Sequence, residues 1–226
     1  MTIFNTMRRR LFARLAAGLA VCCAASAGRA QTVEWTRQLG TSSYDDSRGV
    51  SADGLGNVYI SGYTSGSLDG PNAGFTDAFV SKYDAAGTLA WTRQLGTSSG
   101  DRSYGVSADG LGNVYISGLT TGSLDGPNAG GIDAFLSKYD AAGTLAWTRQ
   151  LGTSSDDRSY GVSADGLGNV YFSGNTQGSL GGPNVSVLRR TVACREWAAV
   201  VRLAAGDVSP SARSARPRLL SSTRRA

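Results

Sequence analysis

Apolar and polar residues alternate along short runs of this chain, and the runs come in sets of four. In the first complete set, Arg48 to Asp53, Asn57 to Thr64, Ala78 to Tyr83 and Leu89 to Leu95 each read as a β-strand. Alternation puts Val58 and Ile60 on one side of the second run and Tyr59 and Ser61 on the other, while Ala78 and Val80 oppose Phe79 and Tyr83 in the third. Apolar groups on both faces are what a sheet sandwiched between two others requires. No window carries the 3.6-residue period of a helix, and glycine interrupts every candidate.

The segments between the runs have turn chemistry. Asp53-Gly54-Leu55-Gly56 suits a tight reversal, because Gly tolerates positive φ and Asp bonds its own backbone. A long Gly/Asp/Pro/Asn loop, Ser65 to Asp77, joins the second run to the third, and Asp84-Ala85-Ala86-Gly87 joins the third to the fourth. The whole set recurs every 56 residues, marked by Trp35, Trp91 and Trp147. Copies one and two differ only at Tyr44/Gly100, Asp46/Arg102, Arg48/Tyr104, Tyr63/Leu119, Ser65/Thr121, Phe75/Gly131, Thr76/Ile132 and Val80/Leu136. A repeat of this length means a propeller or a solenoid. In order, the chain offers an unpartnered strand around Trp35, two complete sets, and a last hairpin from Tyr160 to Gly174.

Asp77-Ala78-Phe79-Val80-Ser81-Lys82-Tyr83-Asp84, Gly87, Trp91, Gly96 and Asp53-Gly54-Leu55-Gly56-Asn57-Val58-Tyr59-Ile60-Ser61-Gly62, with their later copies, resemble the bacterial β-propeller repeat called SBBP. The resemblance covers roughly residues 33 to 184. It implies a secreted or surface-exposed protein with a propeller fold, in a family without an agreed enzymatic activity and with no catalytic motif to carry across. The expected fold is all-β: a partial β-propeller of four-stranded antiparallel blades, two complete and others partial. Propellers close with about four to eight blades, so the expected product is an open arc, a partner in an assembly that self-associates to complete its blades, or a fragment.

Charge separates the ends from the middle. Residues 31–184 carry eight basic and fifteen acidic side chains, so the positive total belongs to the termini. A body about seven charges negative is a poor partner for nucleic acid, which needs a basic face. Residues 1–30 read as a signal peptide: Arg8, Arg9, Arg10 and Arg14 precede the apolar stretch Leu15 to Ala25, too short to span a membrane, and small residues follow. The expected address is therefore secreted, periplasmic or cell surface. After Asn184 the repeat stops, and residues 185–226 form a basic low-complexity tail. The period predicts Asp-Ala at positions 189 and 190, where Arg189-Arg190 stands. That substitution reads either as a change of reading frame near Asn184 or as a natural disordered tail.

In a blade whose strands run alternately up and down, the connection into the first strand and the long connection between the second and third emerge on one face. Seven of the eight differences between copies lie in or beside those two connections. Repeat scaffolds commonly vary on a binding face, so the candidate ligand-binding residues are Tyr44, Asp46, Arg48, Phe75, Asp101, Arg102, Tyr104, Asp157, Arg158 and Tyr160, with Asp45 and Ile132 nearby. Aromatic and charged groups together suit a glycan or a protein ligand. The competing explanation is that exposed loops drift after duplication.

Chemistry beyond binding has little to stand on. Histidine is absent, which removes the commonest general base and metal ligand. Asp45-Asp46 and Asp156-Asp157 are neighbours along a strand and point to opposite sides, and the second copy has Asp101-Arg102 instead. The Asp53 turn lacks the further acidic ligands and closing Glu of a calcium loop, so no metal and no cofactor is expected. Trp35, Trp91 and Trp147 read as packing residues. The function expected is an exported, non-catalytic scaffold or binding module; the alternatives are a propeller-based lyase or hydrolase fragment and a non-functional truncated product.

Overall fold

A computed structural model describes residues 32–180 and 197–203. The expected signal peptide and most of the expected tail lie outside these residues. Residues 32–34 fall in a separate unit from 35–226 and have no regular secondary structure; the account below concerns the second unit.

No helix occurs among the described residues. The first sheet has the order β1 (Asp45–Ala52), β2 (Val58–Thr64), β3 (Asp77–Tyr83), β4 (Leu89–Leu95), with every neighbour antiparallel. The second repeats it with β5 (Asp101–Ala108), β6 (Val114–Thr120), β7 (Asp133–Tyr139) and β8 (Leu145–Leu151). Each first strand starts three residues earlier than the alternation indicates, because Asp45 and its copies begin the ladder by pairing with Thr64 and its copies. The turns follow their chemistry: Gly56 and Gly87 adopt φ of 85° and 75°. The Asp53 carboxylate accepts from the backbone N–H of Leu55 and of Asn57, each at 2.9 Å, from Asn57 Nδ2 at 2.7 Å and from Tyr59 Oη at 3.2 Å. Both oxygens are occupied by the hairpin itself, which accounts for this acidic turn without a cation.

The third sheet has the order β11 (Trp197–Leu203), β10 (Val170–Thr176), β9 (Asp157–Ala164). This amends the expectation of a tail without structure over 185–226. β11 takes the register of a third strand: Trp197 pairs with Thr176 as Asp77 pairs with Thr64, and Leu203 with Val170 as Tyr83 with Val58. The period places that strand at residue 189, where the run Arg189 to Arg195 holds three arginines. Trp-Ala-Ala-Val-Val-Arg-Leu, farther on, has the apolar and β-branched content that an open backbone edge on β10 can pair with. Residues 35–41, where an unpartnered strand was expected around Trp35, have no ladder pairing. Trp35 nonetheless stacks on Tyr83 at 6.3 Å, and Arg37 Nε donates to the Gly87 carbonyl as Arg93 does to Gly143.

Sheets stack face to face, with the first strands β1, β5 and β9 side by side. One core joins Tyr59, Ala78 and Val80 of the first sheet to Val106, Val114, Ile116, Phe135 and Tyr139 of the second. The next joins Tyr115, Ala134 and Leu136 to Val170 and Phe172. The two apolar faces of β6 and β7, the central strands of the middle sheet, are thus used on opposite sides, as the alternation requires. Trp91 and Trp147 pack against these cores.

Candidate functional site

Each first strand carries a β-bulge. Pairing skips Arg48 between Ser47 and Gly49, Tyr104 between Ser103 and Gly105, and Tyr160 between Ser159 and Gly161. A bulge leaves its extra residue out of the ladder and re-aims the side chain. The facing residue must then be small. A methyl group built on Gly62, Gly118 or Gly174 would overlap the carbonyl of Asp46, Arg102 or Arg158.

The re-aimed Tyr104 and Tyr160 meet across sheets, in a row of rings that Tyr63 and Tyr44 of the first repeat extend. Tyr44 and Tyr63 ring centroids are 5.9 Å apart, Tyr63 and Tyr104 6.5 Å, and Tyr104 and Tyr160 5.7 Å. The long loop of one sheet docks beside the entry of the next, since Asp101 N–H donates to the Thr76 carbonyl at 2.7 Å and Asp157 N–H to that of Ile132 at 2.7 Å. Between these features lies a cavity of about 500 Å³ lined by residues of all three sheets. Phe75 and Thr76 come from the loop after β2; Gly100, Arg102, Tyr104, Leu119, Thr121 and Ile132 from the second sheet; Arg158 and Tyr160 from β9. Phe75 is 81% exposed and Tyr160 49%.

Of the ten residues named from sequence, five line this cavity: Phe75, Arg102, Tyr104, Arg158 and Tyr160. Tyr44, Asp46 and Arg48 form a neighbouring cluster. Asp46 accepts from Tyr63 Oη at 3.0 Å, from Arg48 Nε at 2.8 Å and from Tyr44 Oη at 3.3 Å. Burial pushes the Asp46 carboxyl up, but these hydrogen bonds and the Arg48 charge outweigh it and hold the group below its ordinary value. The same contacts raise Arg48, led by the Tyr63 hydroxyl and followed by Asp46.

Asp101 and Asp157 have to be withdrawn from a ligand-facing role. They are 0% and 1% exposed. Asp101 accepts from Thr97 N at 2.7 Å and Thr97 Oγ1 at 2.9 Å, and Asp157 from Thr153 N at 2.6 Å and Thr153 Oγ1 at 2.8 Å. Alternation explains the placement: Asp101 and Arg102 are consecutive on β5, so when Arg102 points outward Asp101 points in. Burial, ahead of the opposing bonds from Thr120 and Thr97, leaves the Asp101 carboxyl above its ordinary value. Leu119 and Thr121 were not singled out by sequence, although both occupy positions that differ between copies.

Three arginines sit along the first strands, and two have an acid. Arg48 pairs with Asp46, and Arg158 Nη2 with Asp156 at 2.8 Å. Arg102 has no carboxylate within ion-pair distance among the described residues; its guanidinium carbon lies 4.9 Å from the Tyr63 ring centroid. No group of three or more metal-ligating side chains occurs among the described residues.

Over 143 residues the chain is 30% identical to the regulatory protein FlaEY of Caulobacter vibrioides, covering 56% of this chain and 15% of that one. Over 120 residues it is 26% identical to an uncharacterized WD repeat-containing protein, L264, of Acanthamoeba polyphaga mimivirus, covering 45% of this chain and 9% of that one. The chain therefore spans a small part of the length of these relatives. Among solved structures, a luciferin-regenerating enzyme superposes with a TM-score of 0.32 at 15% identity, over 72% of this chain and 61% of that one. The family model for a β-propeller repeat matches in tandem, and residues 34–69, 90–125 and 146–182 are three copies of the SBBP β-propeller repeat.

Proposed function

We propose that this protein is an exported, non-catalytic binding module whose loop-face cavity takes a glycan or peptide ligand. One observation carries the reading: every residue lining the cavity stands at a repeat position where copies one and two differ. Drift after duplication does not favour one face. Leu55, Leu111 and Leu167, at the opposite turns, are 76%, 74% and 81% exposed, yet all three copies keep them. Change is concentrated where a ligand would touch, and the scaffold beneath is held constant.

The lining supports binding rather than catalysis. It offers aromatic faces, hydroxyls and guanidinium groups but no carboxylate or imidazole to act as a base. Its volume lies within the about 300–1,000 Å³ of small-ligand sites. Export rests on the basic and apolar pattern of residues 8–25. Screening the purified chain against a glycan and peptide panel tests the binding reading. Phe75→Ala and Tyr104→Ala are each expected to weaken any ligand found by at least tenfold. A ligand bound equally well by wild type and both variants removes this face from consideration.

A further inference from the structure

We infer that the ligand is an acidic glycan whose sugar carboxylate is held by Arg102. This rests on the binding reading above and narrows it. One repeat position decides the charge of the cavity. Copies one, two and three have Tyr44, Gly100 and Asp156 at that position, and Asp46, Arg102 and Arg158 two residues later. In the third copy the acid at the first position neutralises the arginine at the second, through the 2.8 Å pair Asp156–Arg158. In the first copy the acid stands at the second position and answers Arg48. In the second copy Gly100 removes the acid and also opens space, since Gly100 itself lines the cavity.

The remaining acids do not compensate Arg102. Asp101, next to it in sequence, is buried on the other side of β5 and turned toward Thr97. The lining consequently holds two guanidinium groups and no carboxylate, in a repeat body with an excess of acid. Arg102 is exposed, and Tyr63 stacks beneath it at 4.9 Å. Such stacking fixes the plane of the guanidinium and leaves its edge to form the paired hydrogen bonds that suit a carboxylate.

The rest of the wall selects a sugar. Tyr104 and Tyr160 are inclined at 58° with centroids 5.7 Å apart, and Phe75 stands opposite in the loop of the neighbouring sheet. Aromatic faces of this kind stack on the apolar side of a sugar ring, while the Tyr and Thr hydroxyls of the lining can exchange hydrogen bonds with its hydroxyl groups.

The test is calorimetry of the full chain with oligogalacturonate, the same oligomer methyl-esterified, and poly-glutamate. The arginines of the terminal segments attract any polyanion, so substitution decides rather than binding alone. Oligogalacturonate is expected to bind at least tenfold more tightly than its ester. Arg102→Gln is expected to abolish that difference, and Lys138→Gln, which removes a positive charge outside the cavity, to preserve it. Equal binding of acid and ester, with Phe75→Ala and Tyr104→Ala still weakening both, overturns the charge assignment but leaves the binding face. Binding of poly-glutamate alone, sensitive to Arg102→Gln, overturns the sugar. Absence of binding by all three probes, or binding insensitive to every cavity substitution, overturns the inference; only the latter, with Phe75→Ala and Tyr104→Ala also silent, counts against the face itself.

Discussion

At the scale of single residues, glycine decides where the ligand-facing side chains go. Tyr104 leaves the ladder at a bulge, and the backbone there comes so close to Gly118 that no Cβ fits beside the Arg102 carbonyl. Gly110 is a useful contrast, because a methyl group built on it meets nothing within 4 Å. Gly118→Ala is therefore expected to lower stability by about 1–3 kcal/mol, the range for forcing atoms into occupied space. Gly110→Ala should stay within about 0.5 kcal/mol, as unstrained surface changes do. Urea unfolding midpoints measure both, and tyrosine fluorescence should change for Gly118→Ala as Tyr104 is displaced. Equal midpoints for the two variants would contradict the proposed geometry.

At the scale of the strand, alternation was sufficient for most of the fold. Tyr59 against Val58, and Ala78 against Phe79, already assign opposite faces, and in the second sheet their copies divide as expected, Val114 and Phe135 into one core and Tyr115 and Ala134 into the other. Three things were not legible. The bulge at Tyr104, which takes that side chain out of the ladder and brings its ring to Tyr160, has no signature in the alternation. Leu119 reaches the cavity because pairing sets it opposite Arg102, and Thr121 follows just beyond the end of β6, placements that alternation along a single strand does not show. β11 stands eight residues beyond its periodic place, so the repeat pointed to the wrong segment while the edge of β10 accepted another. That edge yields a prediction. Proline cannot donate to a ladder and is excluded from paired strand interiors. Val200→Pro is expected to separate β11 from β10. Hydrogen exchange should then accelerate by more than tenfold at Val170–Thr176 and remain unchanged at Val58–Thr64. Uniform protection in all three sheets would mean that β10 does not depend on β11.

At the scale of the whole molecule, stability is a sum over neighbouring sheets, as in other repeat proteins. The repeat position held by Val50 and Val106 shows how unequal the terms are. Val106, facing the first sheet, is 8% exposed, and Val50, on the side of the first sheet that no described sheet covers, is 72% exposed. The same residue with the same neighbours in sequence differs only in whether a sheet lies over it. Val106→Ala removes two buried methyl groups at roughly 0.8 kcal/mol each and should cost about 1.5 kcal/mol or more. Val50→Ala should cost almost nothing in dilute solution. The equivalence of the two faces also makes Val50 a natural seat for another sheet of the same kind, and self-association of the chain would bury it. If that happens, the cost of Val50→Ala should rise with protein concentration toward that of Val106→Ala, because binding to the folded state adds stability by mass action. Thermal melts across a hundredfold range of concentration, paired with sedimentation equilibrium, separate the cases. A Val50→Ala penalty that stays near zero while the chain remains monomeric rules out self-association through this face.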